Sequence, residues 1–117
     1  MAVEGSDFFH WDDAVRSDEA IEAYYDAIRQ WGTEAQYNKA AEESSEFAAA
    51  INRMLNPESD RDDVLGELID VRLILEVLRT RYSEEELRHR MEEQVADFRR
   101  RVEKDSPDGF AVGGEVR

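Results

Sequence analysis

The sequence contains no cysteine, which excludes disulfide bonds and cysteine-ligated zinc or iron–sulfur sites. Proline occurs only twice, and no apolar stretch is long enough to span a membrane. Helix-forming residues dominate the remainder, and this composition predicts an all-α domain. Because the N-terminus carries no signal peptide, we expect a cytoplasmic protein that does not bind membranes.

Basic residues are also scarce, with 15 against 29 acidic ones, which gives a formal net charge of −14. Such a surface repels phosphate backbones, so binding to a nucleic-acid polymer is disfavoured. Lysine occurs only at Lys39 and Lys104. An acidic, lysine-poor surface suits a salt-rich cytoplasm, where ions screen its self-repulsion, and a halophilic host is our hypothesis. An acidic protein from ordinary salt is the alternative.

Apolar periodicity and capping residues predict a helical domain over residues 17–104, between an N-terminal arm, 1–16, and a flexible tail, 105–117. The four predicted helices begin at the caps Ser17, Thr33, Ser59 or Asp60, and Ser83, and they end near Trp31, Leu55, Tyr82 and Lys104. The third is the most apolar, so we expect it to be the most buried.

The arm contains an aromatic cluster made of Phe8, Phe9, His10 and Trp11. Exposed aromatic clusters usually pack on an interface, so docking on the core or on a partner subunit is one interpretation. A wall on which a base stacks is the other interpretation.

Two carboxylates interrupt the apolar faces of the second and third predicted helices. At about 100° per residue, Glu43 and Glu67 fall in the middle of those faces, with Glu46 and Asp70 displaced to the same side. A solvated helix face is the usual explanation of acidic residues, but it fits these central positions badly. Because a buried carboxylate is costly unless it is paired or binds metal, the pattern predicts a divalent cation site.

Oxygen ligands of this kind select Mg²⁺ or Mn²⁺, and carboxylate-bound Mg²⁺ commonly binds substrate phosphates. Phosphate chemistry is therefore the function that the residues favour. The sequence has neither a Walker loop nor a dinucleotide fingerprint. Water activated by metal or by a carboxylate such as Glu42 or Glu46 is then the expected nucleophile.

The pattern Gln36-x-x-Lys39-x-x-Glu42-Glu43-x-x-Glu46, followed by Glu67-x-x-Asp70, resembles the MazG-like nucleoside triphosphate pyrophosphohydrolases. The resemblance covers about residues 18–104 and is strongest over 36–71. It implies an all-α, four-to-five helix bundle completed by oligomerisation, as a homodimer or homotetramer. It also implies cleavage of an NTP or dNTP between the α- and β-phosphates, giving a monophosphate and pyrophosphate.

By this resemblance Glu43, Glu46, Glu67 and Asp70 hold Mg²⁺, while Glu42 orients or activates water. Lys39 and Gln36 are assigned by the resemblance as substrate-binding residues. The alternative for Lys39 is a solvated lysine on the surface. The alternative for Gln36 is a capping box with Thr33. Relatives often have a lysine and an asparagine near the end of the last helix. Here that region offers several arginines, from which we take Arg101 as the phosphate clamp.

Two other functions stay open on the sequence. Phosphoribosyl-ATP pyrophosphohydrolases have a similar acidic pattern and differ in substrate. A non-catalytic acidic helical adaptor is the alternative from another class, and it predicts acidic residues on exposed, polar helix faces.

Overall fold

The computed structural model describes residues 10–56 and 61–104, and every regular element in these two ranges is an α-helix. The helices are α1 Trp11–Val15, α2 Asp18–Trp31, α3 Thr33–Leu55, α4 Arg61–Arg79 and α5 Glu84–Lys104. For the part of the chain described, the predicted all-α class is confirmed. None of these helices combines the length and apolar character needed to cross a bilayer.

The helix α1 lies inside the segment that we predicted as an N-terminal arm. Two residues of the arm's aromatic cluster, Phe8 and Phe9, fall outside the described residues. The same holds for the predicted caps Ser59 and Asp60 and for the tail, 105–117. The predictions made for those positions therefore remain predictions.

Side-chain caps open two of the helices as predicted. Ser17 Oγ accepts a hydrogen bond from the backbone N–H of Ala20 at 3.2 Å and starts α2. Before α5, the backbone N–H of Ser83 donates to Glu86 Oε1 at 2.9 Å, and the N–H of Glu86 donates to Ser83 Oγ at 3.0 Å. This reciprocal pair is a capping box, which satisfies N–H groups that lack a helical partner.

Gly32 separates α2 from α3 and has a φ of 91°, a left-handed conformation that favours glycine. Its N–H donates to Ile28 O at 2.8 Å, which ends α2. The end of α4 differs from the prediction, because the helix stops at Arg79 rather than near Tyr82. There the N–H and the Oγ1 of Thr80 both donate to Val77 O, at 3.2 and 2.8 Å, and this tightens the last turn.

The chain divides into two compact units, within residues 1–81 and 82–117. In the first unit α2, α3 and α4 pack against one another, with the α3–α4 pair the most extensive. The core consists of Tyr24, Ile74 and Val77, surrounded by partly buried small and branched residues of α2 and α3. The second unit contributes α5, which buries none of its residues.

The third predicted helix, which we expected to be the most buried one, corresponds to α4, and among the four long helices α4 does bury the largest fraction of its residues. It buries three of its 19 residues, which are Ile74, Glu76 and Val77, whereas α3 buries three of 23. Large apolar side chains of α4 remain exposed, namely Leu65, Leu68, Ile69, Leu73 and Leu75. These side chains are exposed because α4 has apolar residues on more than one of its faces. The helices α2 and α3 cover only part of this apolar surface.

The short helix α1 is attached to the core by a hydrogen bond from Tyr24 to the backbone. The hydroxyl group of Tyr24 donates to Val15 O at 2.7 Å, and Val15 itself is buried. Burial, followed by the nearby charge of Glu76, raises the pKa of Tyr24. The described part of the arm therefore docks on its own chain.

A buried ion network completes this attachment. Glu76 is only 5% exposed and accepts hydrogen bonds from Arg72 Nε at 2.9 Å and Arg16 Nη1 at 3.1 Å. Arg72 also donates to Asp12 Oδ1 at 2.8 Å, and its guanidinium lies 4.7 Å from the centroid of the Trp11 ring. Residues at the two ends of α1 are thus linked to α4 through charged contacts.

Candidate functional site

Three predicted metal ligands lie together at the contact between α3 and α4. Glu43, Glu46 and Glu67 each place one carboxylate oxygen within 4.8 Å of the others, and we call them the carboxylate cluster. Glu43 is 8% exposed, while Glu67 is half-buried and Glu46 is exposed. The structure therefore brings together three of the four residues predicted as metal ligands.

Two oxygens of the cluster are buried without compensation. Glu43 Oε1 and Glu67 Oε1 have no hydrogen-bond partner, and a buried polar atom left in this state is costly. Glu43 Oε2 forms an ion pair with Lys39 Nζ at 3.0 Å. Oxygen-only ligands with unsatisfied lone pairs fit a hard divalent cation such as Mg²⁺ or Mn²⁺.

Loss of hydration and mutual repulsion change the acidity of Glu46, the exposed member of the cluster. The pKa of Glu46 is raised, first by partial loss of hydration and then by the negative charges of Glu43, Glu67 and Glu42. Glu46 is therefore a stronger base than an ordinary glutamate, as long as no cation is bound.

This shift predicts how the stability of the metal-free protein depends on pH. A folded-state pKa above the ordinary value of 4.5 means that the folded protein holds the Glu46 proton more tightly than the unfolded chain does. The resulting stability is complete below 4.5 and is lost as pH rises through the raised pKa. The measurement is thermal unfolding of the wild type and of Glu46→Gln in chelator, at pH values from below 4.5 to neutral. As the pH rises, the wild type should lose more stability than the variant. Parallel profiles would contradict the prediction.

A groove of about 720 Å³ adjoins the cluster and lies among α2, α3 and α4. Most of its wall is apolar, and the polar side chains that line it are Gln36, Lys39, Glu43 and Asp70. Glu43 belongs to both the groove and the carboxylate cluster. The volume lies within the range of roughly 300–1,000 Å³ that is usual for small-molecule sites.

The apolar part of the groove has the character of a site for a flat ring. Small side chains of Ala20, Ala23 and Ala35 leave room, and Trp31 lines the groove while 63% of it remains exposed. An accessible indole beside apolar walls can stack on any base. Trp11 does not line the groove and lies against Arg72 instead. Because Phe8 and Phe9 lie outside the described residues, the stacking wall that we considered for the arm stays a prediction.

Gln36 does not form the capping box that we considered for it. Gly32 is the N-cap residue of α3, no side chain caps it, and Thr33 already lies inside the helix. Instead Gln36 is 6% exposed, and its Nε2 donates to Ala27 O at 3.4 Å. Because Ala27 O can only accept, this contact fixes the orientation of the amide in the groove wall.

The remaining predicted site residues lie outside the carboxylate cluster. Asp70 lines the groove and is exposed, but it is not one of the three clustered carboxylates. Glu42 is exposed, with its Oε1 3.7 Å from Lys39 Nζ. Arg101 lies on α5, in the second unit, where it donates to Asp97 Oδ2 at 3.2 Å.

The chain matches no protein-family model, no curated protein and no solved structure. A function for it therefore has to be argued from the geometry of its own residues.

Proposed function

We propose that this protein is a Mg²⁺-dependent, MazG-like nucleotide pyrophosphohydrolase that converts an NTP or dNTP into its monophosphate and pyrophosphate. The observation that carries the proposal is the position of Glu43, which is buried in both the cluster and the groove. A cation held there would lie beside a space of nucleotide size. The non-catalytic adaptor predicts exposed acidic residues, so the burial of Glu43 argues against it.

Glu43, Glu46 and Glu67 are the residues that would hold the cation, with Asp70 a further oxygen ligand at the groove. A divalent ion bound there supplies positive charge that neutralises the triphosphate. The groove takes the base and sugar, which stack on Trp31 beside the amide of Gln36. Lys39, which lines the groove, is assigned to the phosphates, since its ammonium group is positively charged at neutral pH. Arg101 stays a prediction from the resemblance.

In the proposed reaction, the oxygen of a water molecule attacks the α-phosphorus and the bond to the bridging α–β oxygen breaks. Pyrophosphate leaves, and a carboxylate accepts the proton of the water. We assign this base to Glu46 in preference to Glu42, because Glu46 belongs to the carboxylate cluster, where a water molecule beside the cation would lie. Glu42 instead faces the ammonium of Lys39.

The proposal is tested by measuring pyrophosphate release from NTPs, dNTPs and phosphoribosyl-ATP with Mg²⁺, at dilute and molar KCl. We expect pyrophosphate and monophosphate in equal amounts from at least one ordinary nucleotide, with no release in EDTA. Activity confined to phosphoribosyl-ATP would identify the alternative enzyme. A folded protein that is silent on the whole panel would contradict the proposed function.

We also propose that the chain self-associates as a homodimer or homotetramer. Exposed apolar side chains on two helices support this proposal. On α4 they include Leu65, Leu68 and Ile69. On α5 they are Met91, Val95, Phe98 and Val102, and each of these four is at least half exposed. Contiguous apolar surface of this kind is typical of interfaces. Light scattering after gel filtration should give two or four times the chain mass of 13.6 kDa. A particle of single-chain mass at working concentration would contradict self-association.

A further inference from the structure

The ammonium group of Lys39 lies where two different partners can reach it. Its Nζ is 3.0 Å from Glu43 Oε2 and 3.7 Å from Glu42 Oε1. The residue also lines the groove, and its side chain is 52% exposed. Because a lysine stem is long and flexible, the ammonium can move between the cluster and the groove without a change in the backbone.

Lys39 is also the cation that compensates the cluster in the protein without metal. Among the described residues, no other lysine or arginine nitrogen forms an ion pair with Glu43, Glu46 or Glu67. Yet it reaches only one oxygen of Glu43, and the other buried oxygen, Oε1, stays without a partner. A monovalent cation at the edge of the cluster therefore neutralises it only in part.

Resting on the function proposed above, we propose that Lys39 is a counter-cation that holds Glu43 until a divalent ion binds, and then passes to the substrate phosphates. An ammonium group and a divalent cation on the same carboxylate repel each other, and the negative charge that attracts the ammonium is then largely neutralised. A triphosphate in the groove offers the released ammonium a stronger anionic partner. Cation binding thereby makes the lysine available to the substrate.

This exchange predicts opposite effects of one substitution on two binding steps. Without Lys39 the cation meets no competitor, so its affinity should rise by about twofold to fivefold, the range expected for a half-exposed ion pair. The affinity for a triphosphate should fall by about tenfold, because a charge-assisted hydrogen bond is lost. A lysine that only positions Glu43 as a ligand would instead weaken cation binding when removed.

The experiment is calorimetric titration of Mn²⁺ into the nucleotide-free full chain, for the wild type, Lys39→Met and Lys104→Met. Lys104→Met is the matched control, since it removes the only other lysine and the same charge from the end of α5. A second titration adds a non-hydrolysable α,β-methylene triphosphate to each Mn²⁺-saturated protein. Circular dichroism checks that each variant keeps its helices, and Lys39→Gln replaces any variant that does not.

Tighter Mn²⁺ binding with weaker analogue binding in Lys39→Met, and no change in Lys104→Met, is the expected result. Equal or weaker Mn²⁺ binding in Lys39→Met, with a wild type that binds normally, overturns the role of Lys39 and leaves the metal site standing. A wild type that does not bind Mn²⁺ overturns the metal site itself, and this inference with it.

Discussion

Replacing Glu67 with glutamine is expected to abolish Mn²⁺ binding and pyrophosphate release while making the metal-free protein more stable. The substitution removes one of three clustered negative charges and keeps the size of the side chain. The new amide N–H can also donate to a carboxylate oxygen such as Glu43 Oε1, which has no partner in the wild type. We expect the free energy of unfolding in EDTA to rise by about 1 kcal/mol, a gain typical of removing a strained functional group.

The measurement is thermal unfolding of both proteins in EDTA and again in excess Mg²⁺. Wild type should gain stability with Mg²⁺, by about 2.7 kcal/mol at one hundred times the dissociation constant, and Glu67→Gln should gain none. Glu92→Gln is the control, because Glu92 is exposed on α5 and the change in charge is the same. If Glu67→Gln destabilised the metal-free protein, its carboxylate would be structural, and the argument for a cation site would lose its basis.

The position of this cluster was predictable because it depends on local geometry. A helix repeats about every 3.6 residues, so placing Glu43 and Glu67 in apolar faces needed only the sequence around each of them. The α3–α4 contact then brought both carboxylates together with Glu46. Asp70 lies about one turn beyond Glu67 and stayed exposed outside the cluster, since helical phase does not determine how a side chain is oriented.

Other parts of the site depend on contacts that no local pattern contains. The amide of Gln36 is held by Ala27 O on the preceding helix, a contact that the capping-box pattern did not indicate. The Arg16–Glu76 pair joins residues 60 positions apart, and no local pattern connects the two. Arg72 and Glu76 have the four-residue spacing that is typical of an ion pair along a helix. Many exposed pairs share this spacing, so it does not indicate a buried network.

That shared spacing permits a comparison of two ion pairs that differ in burial and in the number of arginines around the glutamate. Arg72 Nε donates to Glu76 Oε2 at 2.9 Å on α4, and Arg99 Nε donates to Glu103 Oε2 at 2.9 Å on α5. The Glu76 side chain is 6% exposed, whereas that of Glu103 is 60% exposed. A pattern search cannot separate the two pairs, but the energetics of charge burial should.

We expect Glu76→Gln to lower the free energy of unfolding by about 3 kcal/mol, since breaking a buried ion pair leaves its partners uncompensated. Arg16 and Arg72 would then lose the carboxylate that they share, and α1 would lose a link to α4. Glu103→Gln should leave stability unchanged, because exposed pairs contribute little. Urea unfolding of the two variants and the wild type measures the difference. Equal effects would show that solvent reaches Glu76 as freely as Glu103, and that the buried network does not hold α1 in place.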